Sequence, residues 1–173
     1  MKYVYVIFLF IFISHSSHSK IVIDKISPNL SNLWGISILN KEEILFTQRS
    51  GKVYRLNIFK KKLFEITGAP EVFNSGQGGL LDIEIEQKNK RIKVYLCFSK
   101  KLNKSQSATA VNSYDLINDE LKNKKSLFVS NKTSSSSRHF GCRLAIKNDH
   151  IYATIGDRAV SYTHLTLPTI LLV

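Results

Sequence analysis

Three short segments concentrate residues from which chemistry could be built. The first, GQGGLLDIEIE over 76–86, sets Gln77 among Gly76, Gly78 and Gly79 and opens directly into an alternating stretch. A loop this rich in glycine lets its backbone come close to another body. It is a poor phosphate cradle, because it leads into a strand rather than a helix N-terminus and lacks the lysine of a P-loop. The alternative is a plain glycine turn.

The second segment, RHFGCRLAI over 138–146, brings His139 to the end of a polar loop just before a strand. Imidazole accepts a proton near neutral pH, which makes it the natural general base for oxidising an alcohol. A lone histidine is more often structural, and spacing alone does not choose. The third segment, ATIGDR over 153–158, ends a strand in Gly156-Asp157. If the strands beginning at Arg143 and Ile151 form a hairpin, His139 and Asp157 lie at the same end of it. A carboxylate there would fix the imidazole tautomer and raise its basicity. An Asx-type turn at Asp157 is the competing reading.

The elements that must position these groups read as short strands and polar turns. Strands are expected over 34–39, 44–48 and 53–58, an antiparallel meander with Gly51 in a tight connection. A second round covers 80–86, 93–99 and 108–115, with an outer strand over 126–129; in 80–86 apolar and acidic residues alternate as in a half-buried strand. A third round begins over 143–146 and continues over 151–155. The rounds start near Trp34, Leu80 and Cys142, a spacing compatible with four-stranded blades of about 40–50 residues carrying insertions. The pattern is all-β. Repetition favours a propeller, although a sandwich fits the strand count nearly as well.

Composition bounds the rest. Of 173 residues, 43% are apolar, enough for a core, and 22% are charged, which argues against a disordered tail. The net charge of +12 comes from lysines scattered among Ile and Asn. With no aromatic-interleaved basic stripe, they read as solvated surface, and no nucleic-acid partner is expected. Residues 1–19 read as a helical secretory signal: Lys2, an apolar run over 3–13, then Ser17 and Ser19 spaced for cleavage. The run is short for a bilayer span, and an uncleaved N-terminal anchor is the only membrane association considered. The protein is expected to be exported, to a periplasm or the medium. Cys97 reads as a buried strand residue. Export would permit a bridge to Cys142, but the sequence itself supports none, and the pair has no metal spacing. Residues 159–173 contain no Lys, Arg, Asp or Glu, and SYTHLTLPT resembles translated sequencing adapter. The chain thus divides into 1–19, a domain over 20–158, and a tail over 159–173 expected to be foreign.

Taken in order and spacing, LWGISILNKEEILFTQRSGKVYRL, GQGGLLDIEIE, VYLCFS and HFGCRLAIKNDHIYATIGDR resemble the glucose/sorbosone dehydrogenase family, the soluble aldose dehydrogenases that use pyrroloquinoline quinone (PQQ). The resemblance covers roughly 33–158. It implies the first two to three blades of a six-bladed propeller, with PQQ over the central channel, calcium activating the quinone and a sugar stacked above. By that resemblance His139 is the general base, oriented by Asp157, and the product is a lactone. Gln77 would bind sugar hydroxyls. Arg138 would contact substrate where other members carry an acid or amide, and Gly76, Gly78 and Arg143 would line the site. An external acceptor would take the electrons. The calcium ligands and the basic residues that hold the quinone's carboxylates belong to later blades of the family, so no metal ligand is expected in this stretch. Expressed alone, the chain is expected to aggregate and to be inactive. The sequence departs from the family at Leu33, where Pro is usual, at Gln48, where an acid is usual, and at Cys142, where Gly or Ser is usual. Two other readings stand beside this one: a calcium-dependent propeller lactonase, for which acids beyond Asp82 and Asp157 are few, and a non-catalytic secreted propeller binding a glycan or protein.

Overall fold

The computed structural model describes residues 21–159 and 171–172, so the signal expected over 1–19 and most of the 159–173 tail lie outside the described residues. Every regular element among the described residues is a strand. The first sheet runs in chain order through β1 (Leu33–Ile38), β2 (Glu43–Gln48), β3 (Lys52–Asn57) and β4 (Lys62–Ile66). Three strands are expected here; the fourth follows a lysine run, and as an outer strand with only Ile66 buried it carries no apolar alternation.

The second sheet repeats the plan with β5 (Leu80–Lys88), β6 (Arg91–Lys101), β7 (Ser107–Ile117) and β8 (Glu120–Val129). β8 starts at Glu120, earlier than the expected 126, because an outer strand with solvated lysines carries no apolar alternation to announce it. In the third sheet β10 (His150–Ala153) lies between β9 (Leu144–Lys147) and β11 (Leu171–Leu172). β10 ends at Ala153, short of the expected 155, leaving Thr154 to Asp157 as loop.

Asparagine-led turns close three hairpins. Asn89-Lys90, Asn118-Asp119 and Asn148-Asp149 all have both residues at positive φ. That is the type I′ geometry whose twist matches the flanking strands, and asparagine tolerates it best among non-glycine residues.

Each sheet is a meander in chain order, and β5 packs against both β1 and β9. This is the plan of successive propeller blades rather than of two facing sandwich sheets. β5 is covered on both faces. Leu80 and Ile83 enter a core with Leu45, Val53, Val94 and Leu96, while Leu81 enters a second core with Val111, Phe140, Leu144 and Ile151. A fully buried Leu or Ile of this kind contributes about 1.5–3 kcal/mol relative to exposure. Gly35 permits the close approach of β1 to β5, since a Cβ there would lie 2.9 Å from the Asp82 Cα. Thr47 Oγ1 accepts the Gly35 N–H at 2.9 Å and donates to the Leu81 carbonyl at 2.7 Å. At the outer side, the Arg55 guanidinium grips both Asp119 oxygens at 2.7 and 2.6 Å.

Cys97 on β6 is buried, as the sequence suggests, and it is also disulfide-bonded to Cys142, a link unsupported by the sequence reading. The bridge spans 45 residues and fastens the second sheet to the segment just ahead of β9.

Candidate active site

The irregular loop between β8 and β9 carries His139, and the loop after β10 carries Asp157. Their backbones run side by side: Gly156 N–H donates to the Phe140 carbonyl at 3.0 Å and Arg158 N–H to the His139 carbonyl at 3.1 Å. Gly156 makes this approach sterically feasible. A Cβ there would sit 2.9 Å from the Gly141 nitrogen and would collide with the His139 carbonyl.

His139 itself adopts φ 52°, a left-handed conformation that costs a non-glycine residue of order 1–3 kcal/mol. Backbone bonds offset that strain. Its N–H donates to Gln77 Oε1 at 2.8 Å, and its carbonyl accepts from Arg158 as above. The glycine-rich loop is therefore pressed against this chain's own histidine loop. Gln77 N–H donates to the Ser137 carbonyl at 2.8 Å. A Cβ on Gly76 would lie 2.6 Å from that same Ser137 oxygen, and one on Gly78 would lie 2.6 Å from the Phe73 carbonyl and 3.0 Å from the Phe140 ring.

The imidazole meets Asp157 through a 2.8 Å Nδ1–Oδ1 hydrogen bond, with both side chains about half exposed. Oδ1 of Asp157 also accepts the Ala159 N–H at 3.0 Å, so the carboxylate closes an Asx-type turn and holds the imidazole at once. The Ala159 N–H, and after it the His139 hydrogen bond, hold the Asp157 carboxyl below the usual carboxylate range. An ionised carboxylate accepts only, so Nδ1 carries a proton, and in the neutral ring Nε2 is the nitrogen left with the lone pair. No described residue hydrogen-bonds to Nε2. An imidazole held in this way can accept a proton at Nε2.

Arg138 directly precedes His139 within the loop and Arg143 closes it at the start of β9, and neither guanidinium is bonded to His139 or Asp157. Arg138 is exposed. Arg143 is 69% exposed and reaches Asp82 Oδ1 at 3.3 Å. Asp82 departs most from expectation. Alternation put it on the solvent face of a half-buried strand, but it is 2% exposed and its Oδ2 accepts the Leu144 N–H at 2.6 Å. β5 has no solvent face at this point: Asp82 lies between Gly35 of β1 and Leu144 of the third sheet, where the register of β5 shifts. Two residues on, burial raises the carboxyl pKa of Glu84. Arg158 was noted in the sequence only as a boundary, yet it is the largest fully buried side chain of the described residues. Nothing periodic marks it, and only its place beside Gly-Asp in a charge-poor loop could have drawn notice. Among the described residues no three His, Cys, Asp or Glu groups converge as a metal site.

The family model described as Glucose / Sorbosone dehydrogenase matches residues 30–166, eight residues beyond the boundary expected at 158. The aldose sugar dehydrogenase of Escherichia coli (strain K12) is 25% identical over 143 residues, which is 78% of this chain and 38% of that protein. A crystal structure of glucose dehydrogenase superposes with a TM-score of 0.67 at 29% identity, covering 75% of this chain and 39% of its own. The apo form of the soluble aldose sugar dehydrogenase from Escherichia coli gives 0.65 at 26% identity, covering 74% and 38%. The PQQ-bound form of an aldose sugar dehydrogenase from Streptomyces coelicolor shares the fold, with a TM-score of 0.64 at 23% identity over 80% of this chain and 42% of its own. The chain spans about two fifths of the length of these relatives.

Proposed function

The chain belongs to the glucose/sorbosone dehydrogenase family, and on that premise we propose that it carries the proton-accepting corner of a quinone-dependent enzyme that oxidises aldoses at the anomeric carbon to lactones. The observation that carries the proposal is the His139–Asp157 pair, with Nδ1 committed to a carboxylate and Nε2 unengaged by any described residue. Relatives named as aldose sugar dehydrogenases support the substrate class, and the PQQ-bound relative supports the cofactor.

In this reading His139 Nε2 takes the proton of the anomeric hydroxyl, and Asp157 stabilises the imidazolium that forms. Bound PQQ would supply the hydride-accepting centre. The donors on offer suit a sugar. The exposed Arg138 guanidinium and the Gln77 amide nitrogen, which has no partner among the described residues, can donate to sugar hydroxyls, while Arg143 beside Asp82 would line the site. Calcium is proposed with the quinone on family grounds alone. The carboxylates of Asp82 and Asp157 are each committed to protein donors, and the proton path described here does not run through a metal. A six-bladed propeller for the whole enzyme, with a unit over 20–158, and an external electron acceptor belong to the same proposal. Export to an oxidising compartment is supported by the Cys97–Cys142 bridge.

The test is His139→Ala in the full-length protein, reconstituted with PQQ and calcium and assayed by aldose-dependent dye reduction. Turnover should disappear while PQQ still binds. Unchanged turnover removes His139 as the base, and lactone hydrolysis without dye reduction removes the dehydrogenase reading altogether.

A further inference from the structure

We propose that Arg158 is a positioning residue for the His139 base, its guanidinium fastening the histidine loop to the start of β7 from beneath. The inference rests on the reading of His139 given above and adds a residue to it. The Arg158 side chain is 0% exposed. Nη1 donates to the Arg138 carbonyl. Nη2 donates to the Ser136 carbonyl at 2.7 Å, to Ser107 Oγ at 2.9 Å and to the Ser107 carbonyl at 3.3 Å. The guanidinium also lies 3.5 Å from the centroid of the Phe140 ring. Two of its acceptors thus belong to the three residues before His139, and its stacking partner is the residue after.

No carboxylate among the described residues pairs with this buried cation, and its Nε lacks a partner. Taking a charge out of water without a counter-ion is expensive, so backbone carbonyl dipoles and an aromatic face must hold it. Burial lowers its pKa accordingly. A hydrophobic side chain would fill the same space at less expense. What the guanidinium adds is a rigid fork aimed at several acceptors at once, which an ammonium cannot reproduce. Because Arg158 directly follows Asp157, one short segment presents the carboxylate to Nδ1 and pins the loop that carries the ring. The 2.8 Å His139–Asp157 geometry therefore depends on where Arg158 sits.

The experiment uses the full-length protein with Arg158→Lys, which keeps the charge, and Arg158→Ala. In the lysine variant kcat should fall about 10–100-fold with a much smaller change in sugar KM, the range seen when an outer partner of a site ligand is removed. In the cofactor-free protein, the NMR resonance of the His139 Nδ1–H, assigned by its absence in His139→Gln, should broaden or vanish. The Asp157 carboxyl should titrate higher than in the wild type. Added guanidinium ion should restore the Nδ1–H signal of the alanine variant, and ammonium should not. A wild-type signal and wild-type kcat in Arg158→Lys overturn the proposal, however far the melting temperature falls. Should the alanine variant not accumulate in folded form, the lysine variant decides alone. If His139→Ala retains turnover while Arg158→Lys still loses the Nδ1–H signal, the role of the base fails and the positioning by Arg158 stands.

Discussion

The backbone N–H of His139 is bonded to the side-chain oxygen of Gln77 at 2.8 Å, across 62 residues of sequence. Gln77 therefore holds His139 by its main chain, in addition to any contact its amide nitrogen makes with sugar. The two roles separate kinetically. Gln77→Ala removes the acceptor and should lower kcat about 10-fold or more. Gln77→Glu keeps an acceptor for the N–H and should retain most of kcat while raising the sugar KM. Steady-state dye reduction on both variants is the measurement, and equal kcat values would assign Gln77 to substrate binding only.

Asp157→Asn probes the tautomer. The amide can donate to Nδ1, which moves the ring proton to Nε2 and abolishes its basicity. With geometry preserved, kcat should drop on the order of 10²–10⁴-fold, as for an orienting carboxylate in a hydrolytic triad. The His139 ring ¹⁵N shifts should report the exchanged tautomer in the same sample.

The depressed Asp157 carboxyl gives a pH dependence of definite sign. A group whose folded pKa lies below its unfolded value of about 4 stabilises the fold above that value, and the contribution disappears as pH falls through the folded pKa. Protonation of Asp157, and with it loss of the carboxylate acceptor for His139, should therefore set in only below the ordinary carboxyl value of about 4. Since the Ala159 N–H is the larger cause of the depression and His139 the next, His139→Ala should raise the Asp157 midpoint only part of the way to the ordinary value. Carboxyl ¹³C titration reads this directly, and a complete return to the ordinary value would show that the turn at Ala159 contributes nothing.

Removing the bridge with Cys97→Ala and Cys142→Ala together should destabilise the protein by about 2–4 kcal/mol, the usual range for a disulfide closing a loop of this length. Urea unfolding under oxidising conditions should show the difference, and a reducing agent should abolish it. Because Cys142 lies three residues from His139, the double variant should also lose activity out of proportion to the fraction unfolded.

Much of the architecture was legible because local chemistry and tertiary packing agree. Strand alternation announces the β5–β6 and β9–β10 hairpins, while the Asn118-Asp119 turn into β8 is hidden among solvated lysines. The β9–β10 hairpin brings residues 143 and 154 opposite each other, with a bond from Thr154 N–H to the Arg143 carbonyl at 3.0 Å, so His139 and Asp157 were expected at one end of it. Illegible features were those set by contacts between sheets. Asp82 is buried because β1 and the third sheet close over both faces of β5, which alternation within one strand cannot show. Cys97 and Cys142 come within 6.5 Å, Cα to Cα, only once two sheets have packed. Arg158 finds its acceptors on residues 20 to 51 positions away, and no window of local sequence contains them.

The left-handed backbone at position 139 also restricts how this corner can be redesigned. Histidine, asparagine and aspartate enter that region far more readily than other side chains, and valine or isoleucine scarcely enter it. A library at this position would be sieved by main-chain geometry before any chemistry is asked of it. Aspartate, the acidic member of the permitted set, is the alternative proton acceptor that the loop can display without being rebuilt.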